Sequence, residues 1–369
     1  MNIRSHLNAL PPYVPIEPFE VLSARTGRDP SRIVKLDANE NPYGPLPVVR
    51  EALGRLDFPH IYPDPESRLL RRSLAKFSGA PEECLLAGAG ADELIDLLMR
   101  VFLEAGDCIL SCPPTFGMYS FDAGLNAARC IDVPRKIDFS LDVESIRKAV
   151  ERYRPKLLFV TSPNNPDGSV IPVDMLDELL ALPVLVVLDE AYIEFAGEAL
   201  GAEFSRIREV PSRKNLVVLR TFSKWAGLAG LRVGYGAFPK WLMPILWKSK
   251  QPYNVNVAAS VSAQVSLEYV EELAKVVELL KNERERLFMA LQKFPYLKPY
   301  PTQSNFILCR VLDLDAAQLK ARLAQEYGIF IRYFDKPGLR DHIRISVGKP
   351  EDTDILVEAL QSMQVTLQP

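Results

Sequence analysis

Residues 184 to 192 read VLVVLDEAY, five apolar side chains in a row that stop on two carboxylates. A run this short, β-branched and free of alternation suits a strand buried on both faces, because a half-exposed strand alternates polar and apolar positions. The same texture returns in CILSC (108 to 112), LLFVTS (157 to 162) and NLVVLR (215 to 220), each followed by turn residues and then a helical pattern. Strands alternating with helices predict an α/β fold on a sheet covered on both sides, with function at the carboxyl ends of the strands. Asp189 sits at such an end, where an unpaired buried carboxylate is costly.

Beyond Tyr253 the pattern changes. Residues 258 to 294 form one long amphipathic stretch, with Lys281, Glu283, Arg284, Glu285 and Arg286 on its wet side. SNFILC (304 to 309) and HIRISV (342 to 347) read as strands flanking a helix near 315 to 325, which together make a small α+β lobe. The expected division is an N-terminal arm over 1–30, a large domain over 31–265 and a small C-terminal domain over 266–369. The arm either completes the small lobe or lies along a partner subunit, and the first part of 31–60 packs on the small domain.

Composition narrows the function classes. The chain has 369 residues, 48% of them hydrophobic, enough for a substantial core. Its 44 basic and 47 acidic side chains are scattered and leave a formal charge of −3, which offers no footprint for nucleic acid. The longest apolar run is far too short to cross a bilayer, and MNIRSHLNALPPYVP lacks a signal-peptide core, so the expected address is the cytoplasm, or an organelle for a protein whose presequence has been removed. Five cysteines without CxxC spacing and three distant histidines predict neither a disulfide framework nor a metal cluster.

The loops carry the chemistry. In TFSKWAGLAGLRVGYG (221 to 236), Lys224 stands among small and hydroxyl residues at a strand end rather than on a charged helix face. Partial desolvation there lowers the amine's pKa and makes it a nucleophile. Ser223 and Arg232 are spaced to reach one phosphate. Alone, an SK pair reads far better as a solvated loop lysine with Arg232 a surface charge, but the neighbours reverse that balance. Asp189 needs a cation, and a pyridinium nitrogen is one; the alternatives are a helix cap or a salt bridge. Tyr192, three residues on, and Asn165 in SPNNPDG (162 to 168) can both reach a phenolate oxygen, the bland alternative for Asn165 being ordinary turn chemistry. AGAGADEL (87 to 94) puts small residues ahead of a helix starting near Ala91, an anion site made of backbone N–H groups; Glu93 at the last glycine position rules out a dinucleotide fingerprint. Phe116 in CPPTFGMY can stack on an aromatic ring or serve the core, and Tyr62 in IYPDPES can offer its hydroxyl from a proline-stiffened loop.

These residues, in this order, resemble the class I and II aminotransferases over nearly the whole chain. More narrowly, LDANENPYGP (36 to 45), YPDPES (62 to 67), PTFGMY (114 to 119), SPNNPDG, DEAYIEF (189 to 195), RTFSK, GLAGLRVGYG, KQPYNVN (250 to 256) and SNFIL are similar to motifs of the histidinol-phosphate aminotransferases. The resemblance implies a fold type I transferase dependent on pyridoxal 5'-phosphate, with a mainly parallel seven-stranded sheet in the large domain. It implies that Lys224 carries the cofactor covalently, Asp189 holds the pyridine nitrogen, Tyr192 and Asn165 contact the phenolate oxygen and Phe116 stacks on the ring. Ser223, Arg232 and the backbone at Ala91 and Asp92 would hold the cofactor phosphate, with Tyr62 reaching the neighbouring subunit's cofactor in a homodimer. Arg332 and Arg344 match the pair that binds substrate phosphate and co-substrate carboxylate, with Tyr13 and Asn39 lining that end. The implied reaction is reversible amino transfer between glutamate and imidazole-acetol phosphate, giving histidinol phosphate and 2-oxoglutarate. Threonine-phosphate decarboxylase, aromatic amino-acid aminotransferase and a regulatory domain that binds the cofactor without turnover stay open as alternatives. Phe116, Asp167 and Trp225 depart from the commonest family residues without touching a catalytic role.

Overall fold

The computed structural model describes residues 3–13 and 15–367. Its strands, in chain order, are β1 (Val34–Leu36), β2 (Leu85–Gly88), β3 (Cys108–Ser111), β4 (Arg129–Asp132), β5 (Leu157–Thr161), β6 (Leu185–Asp189), β7 (Leu216–Thr221), β8 (Gly234–Ala237), β9 (Leu297–Pro299), β10 (Phe306–Val311), β11 (Ile329–Tyr333) and β12 (His342–Ser346). Seven of them form one sheet in the order β2-β8-β7-β6-β5-β3-β4. The neighbours from β7 through to β4 run parallel, and β8 alone is reversed against both β7 and β2.

The unbroken apolar runs are explained by two cores. Along β5, Leu158 and Val160 enter the core on one face while Leu157 and Phe159 enter the other. Val186 and Leu188 oppose Leu185 and Val187 in the same way on β6, as do Leu216 and Val218 against Val217 and Leu219 on β7. With period-2 geometry, only a strand covered on both faces buries every residue.

The other five strands form a second sheet, β1-β11-β12-β10-β9. β1, from the N-terminal part of the chain, pairs in parallel with β11, Leu36 opposite Ile331. Helices Val270–Leu291, Ala316–Arg322 and Pro350–Leu367 cover this sheet, with Leu287, Leu319 and Leu356 in its core.

Two expectations need correction. The stretch over 258 to 294 is two helices, Val257–Glu268 and Val270–Leu291, interrupted at Tyr269, whose φ of −111° and ψ of 40° leave the helical region. Nor are Glu283 and Arg284 on a wet side: both are buried. Arg284 Nη1 donates to the carbonyls of Phe195 and Ser304, each at 3.2 Å, tying this helix to the ends of both lobes. Amphipathic spacing could not reveal this: only Nε finds a local partner, Glu285 Oε1 at 3.1 Å, while the carbonyls that Nη1 meets come from elsewhere in the fold. The N-terminal segment divides its contacts. Leu22, on the helix Phe19–Thr26, packs with Ile33 and Phe330, whereas His6 Nε2 lies 3.2 Å from the Leu125 carbonyl of the large sheet's layer.

Candidate active site

The carboxyl ends of β5, β6 and β7 open into a cavity of about 450 Å³. Its wall includes Ala91, Asp92, Phe116, Asn165, Asp189, Tyr192, Ser223, Lys224 and Arg232, nine of the residues singled out above. Strands in register explain the convergence: Thr161 pairs with Asp189, and Asp189 with Leu219, so three chain segments far apart in sequence end at one level.

Asp189 is 4% exposed. Its Oδ2 accepts from the Tyr119 hydroxyl at 2.6 Å and its Oδ1 from the Ala191 amide at 3.0 Å, yet among the described residues no cation pairs with it. Burial, against these two hydrogen bonds, pushes its pKa up to about 6. Tyr119 is pushed well above the usual phenol range by its own burial and then by the Asp189 charge, so the hydroxyl keeps its proton and donates. It also meets Thr161 Oγ1 at 2.9 Å. Tyr119 is a residue that the sequence reading missed, although the PTFGMY motif contains it. Its partner lies 70 residues downstream, and no local signal points across that gap.

Lys224 follows the neighbouring strand β7 and lines the same cavity as Asp189. Its Nζ donates to the Ala38 carbonyl at 3.0 Å and lies 5.9 Å from the centre of the Tyr192 ring. Burial, joined by the Arg344 and Arg232 charges, lowers its pKa to about 8 despite Glu40 and Asp92. The loop around it is held by the LDANENPYGP segment. Asn41 Nδ2 donates to the Trp225 carbonyl at 2.9 Å, and Gly227, at a φ of +68°, lets the two loops touch, since a Cβ there would come within 2.4 Å of the Gly44 carbonyl carbon. Trp225 itself is core, stacked on Phe77 at 5.4 Å.

At the other end of the cavity Ala91 begins a helix whose first amides lack intrahelical acceptors. Arg232 reaches that end, Nη1 3.4 Å from Ser223 Oγ and Nη2 2.8 Å from Asp92 Oδ2. The ion pair with Asp92 was not foreseen; both side chains are about half exposed. Thr221 Oγ1 donates to Ser223 Oγ at 2.9 Å and orients it.

Five expected residues do not line this cavity. Asn39 and Arg344 stand one bond behind its wall. Asn39 Nδ2 donates to the Tyr192 hydroxyl at 3.0 Å, which leaves that hydroxyl's own proton to donate elsewhere. Arg344 Nη1 donates to Asn165 Oδ1 at 2.6 Å and Nη2 to the Asp37 carbonyl at 2.7 Å. This turns the Asn165 amide group away from Arg344 while its carbonyl is held. Arg344 is buried, has no carboxylate partner among the described residues, and burial lowers its pKa to about 10. Arg332 pairs with it in register across β11 and β12 and rests over the Phe334 ring. Tyr13 lies against Phe121 at 5.9 Å. Tyr62 is 79% exposed and stacked on Tyr253 at 4.7 Å.

No group of three or more potential metal ligands occurs among the described residues, and no described helix is long and apolar enough to cross a membrane.

Residues 31–360 match the family "Aminotransferase class I and II". The chain is 58% identical over 360 residues, 97% of its length and 86% of the relative's, to "Histidinol-phosphate aminotransferase, chloroplastic" of Nicotiana plumbaginifolia. It is 50% identical to the histidinol-phosphate aminotransferase of Roseiflexus castenholzii, covering 98% of each chain. Its structure resembles the crystal structure of histidinol-phosphate aminotransferase from Sinorhizobium meliloti in complex with pyridoxal-5'-phosphate, with a TM-score of 0.87, 28% identity, and 95% and 96% of the two chains covered.

Proposed function

The chain belongs to the class I and II aminotransferases, within them to the histidinol-phosphate aminotransferases, and from that premise we propose how its own residues divide the work. The reaction is amino transfer between glutamate and imidazole-acetol phosphate, giving histidinol phosphate and 2-oxoglutarate. The observation that carries the assignment of roles is the buried Asp189 carboxylate, which pairs with no cation among the described residues and opens on the same cavity as the Lys224 amine. A protonated ring nitrogen is the counter-ion this site lacks, and the helix start at Ala91 with Ser223 and Arg232 suits a phosphate at the opposite end. Pyridoxal 5'-phosphate, when bound, supplies a carbonyl that carries the amino group and a protonated ring that draws electron density from the substrate carbon.

Asp189 would keep that ring protonated, with Tyr119 holding the carboxylate in place. Tyr192, its hydroxyl oxygen already occupied by Asn39, would donate to the cofactor's phenolate oxygen, and the Asn165 amide would donate beside it. Phe116 supports the ring face without a hydroxyl. Lys224 would hold the cofactor through its amine and, once the substrate's amine had displaced it, would take up the proton of the substrate carbon bearing nitrogen and give it back as an acid. A pKa of about 8 leaves that amine able to serve in both directions near neutral pH. Arg344 takes the substrate carboxylate or phosphate bidentately and Arg332 adds its charge for the phosphate, with Tyr13 and Asn39 closing that end.

The proposal extends to a homodimer in which Tyr62 reaches the partner's cofactor phosphate. Its support is four exposed apolar side chains near one another in sequence, Phe58, Ile61, Tyr62 and Leu69. The domain boundaries are proposed as an arm over 1–30, a large domain over 31–265 and a small domain over 266–369. The compartment is proposed as the cytoplasm, or the interior of a plastid as in the relatives named chloroplastic. A half-reaction test, following cofactor absorbance with histidinol phosphate, glutamate, phenylalanine and threonine phosphate in parallel, decides the substrate. Turnover fastest with phenylalanine, or carbon dioxide release from threonine phosphate, would overturn the reading.

A further inference from the structure

Behind the sheet, on the face away from the cavity, lies a set of charges that none of these steps uses. Glu190 follows Asp189 directly and is 0% exposed; Arg220, one residue past Leu219 on β7, is 4% exposed. Arg220 Nε donates to Glu190 Oε2 at 2.9 Å. Glu190 is fully coordinated, its Oε2 also accepting from Ser205 Oγ at 2.7 Å and its Oε1 from the Arg206 amide at 2.8 Å. Glu194 Oε1 stands 3.7 Å from Arg220 Nη1, and neither Glu194 oxygen has a hydrogen-bond partner among the described residues. Tyr235, opposite Arg220 on β8, brings its hydroxyl to 3.5 Å from Nη1.

Adjacent residues on an extended strand point to opposite faces. Asp189 therefore serves the cavity while Glu190 serves this cluster, and Thr221 and Ser223 face the cavity while Arg220 faces away. The two carboxylates at 189 and 190 are nonetheless close, and an unpaired Glu190 charge would oppose the Asp189 charge through a medium that screens poorly. Burial raises the Glu194 pKa against the pull of the Arg220 charge, and Glu190, bonded to Arg220 Nε at 2.9 Å while Glu194 stands 3.7 Å away, is the carboxylate that this guanidinium chiefly balances.

We propose that Arg220 is a positioning residue for the amino-transfer reaction. By neutralising Glu190 and tying the end of β6 to the end of β7, it keeps Asp189 charged and fixes its distance from the Lys224 turn. It touches neither substrate nor cofactor, and the inference rests on the roles given above to Asp189 and Lys224. The charges that act on Lys224 are Arg344, Glu40, Asp92 and Arg232, and Arg220 is not among them, so it acts on the amine only through the strand ends.

The test uses the holoenzyme and three variants: Arg220→Lys, Arg220→Met, and Arg220→Met combined with Glu190→Gln. In Arg220→Met, kcat should fall by about tenfold or more while KM for both substrates stays within about twofold, and the pH midpoint of the bound cofactor's absorbance band should move. Arg220→Lys, which keeps the charge, and the double variant, which removes both charges, should each recover most of the loss and the wild-type midpoint. An unchanged kcat and midpoint in Arg220→Met, with only an earlier melt, would show the cluster to be purely structural. So would a double variant as impaired as the single one. If Arg220→Met does not fold, Tyr235→Phe, which removes one hydroxyl contact to the same guanidinium, must shift the midpoint in the same direction, and a wild-type midpoint there overturns the proposal. Loss of activity in Asp189→Asn with no effect of any Arg220 variant would leave the cavity assignments standing and sink this one alone.

Discussion

Truncating Arg344 to alanine removes a buried guanidinium held by two neutral acceptors, Asn165 Oδ1 at 2.6 Å and the Asp37 carbonyl at 2.7 Å. Neither acceptor cancels its charge, and Nε has no hydrogen-bond partner among the described residues. Burial lowers its pKa only to about 10, so the group remains cationic at neutral pH and presents an uncompensated charge. Removing one partner of a desolvated charge pair with a substrate anion costs about 2 to 5 kcal/mol. At one order of magnitude per ~1.4 kcal/mol, kcat/KM should fall roughly 30- to 3,000-fold for both substrates. Folding should be little affected, because the two hydrogen bonds lost, about 1 kcal/mol each, are offset by relief from burying an unpaired cation. Arg332, over Phe334 and less buried, should behave differently: Arg332→Ala raises KM for histidinol phosphate more than for glutamate. Steady-state kinetics with each substrate, beside thermal melts, separate the outcomes. Wild-type kinetics in both variants with a lowered melting temperature would refute the anion-site assignment and make both arginines structural.

Asp189→Asn should keep bound cofactor yet lower kcat by about 100-fold or more, in the range of other losses of a preorganised electrostatic partner, ~2.7 to 4 kcal/mol; unchanged turnover would return Asp189 to a turn-capping role. Borohydride reduction of the holoenzyme should label Lys224, and peptide mapping that finds another lysine refutes its assignment. In the cofactor-free protein Lys224 has a pKa lowered from 10.5 to about 8, so between these values the unfolded chain binds more protons than the folded one and stability contributed by this group rises with pH. Denaturant titrations should therefore show a smaller rise from pH 8 to 10 in Lys224→Met than in the wild type; equal slopes would refute the shift. Mixing Tyr62→Phe, carrying a second lesion in its own site, with Lys224→Ala should restore partial activity in heterodimers. A fully active monomer at assay concentration removes the shared site.

The strands and the reactive loop were legible because their signals are local. VLVVLDE, LLFVTS and NLVVLR announce burial on both faces through five or six consecutive residues, and the hydroxyl-rich TFSK turn marks a lysine away from any charged helix surface. The wet face assigned to Glu283 and Arg284 failed for the converse reason. Periodicity within a helix shows where charges lie around its axis, and says nothing of carbonyls delivered by Phe195 and Ser304 from elsewhere.

By itself, then, the sequence determined which segments become buried strands and which residue types stand at their carboxyl ends: Asp189 after β6, Ser223 and Lys224 after β7, Asn165 after β5. Those are consequences of chain order and the two-residue period of a strand. Only the tertiary structure decided what holds them. Tyr119 donates to Asp189 across 70 residues, the Ala38 carbonyl receives the Lys224 amine across 186, and Ser346 grips Asn39 across 307 so that Asn39 can meet Tyr192. A buried donor must find an acceptor wherever folding brings one, because leaving it unmade costs about 1 to 3 kcal/mol, and that search is settled by packing in three dimensions rather than by spacing along the chain.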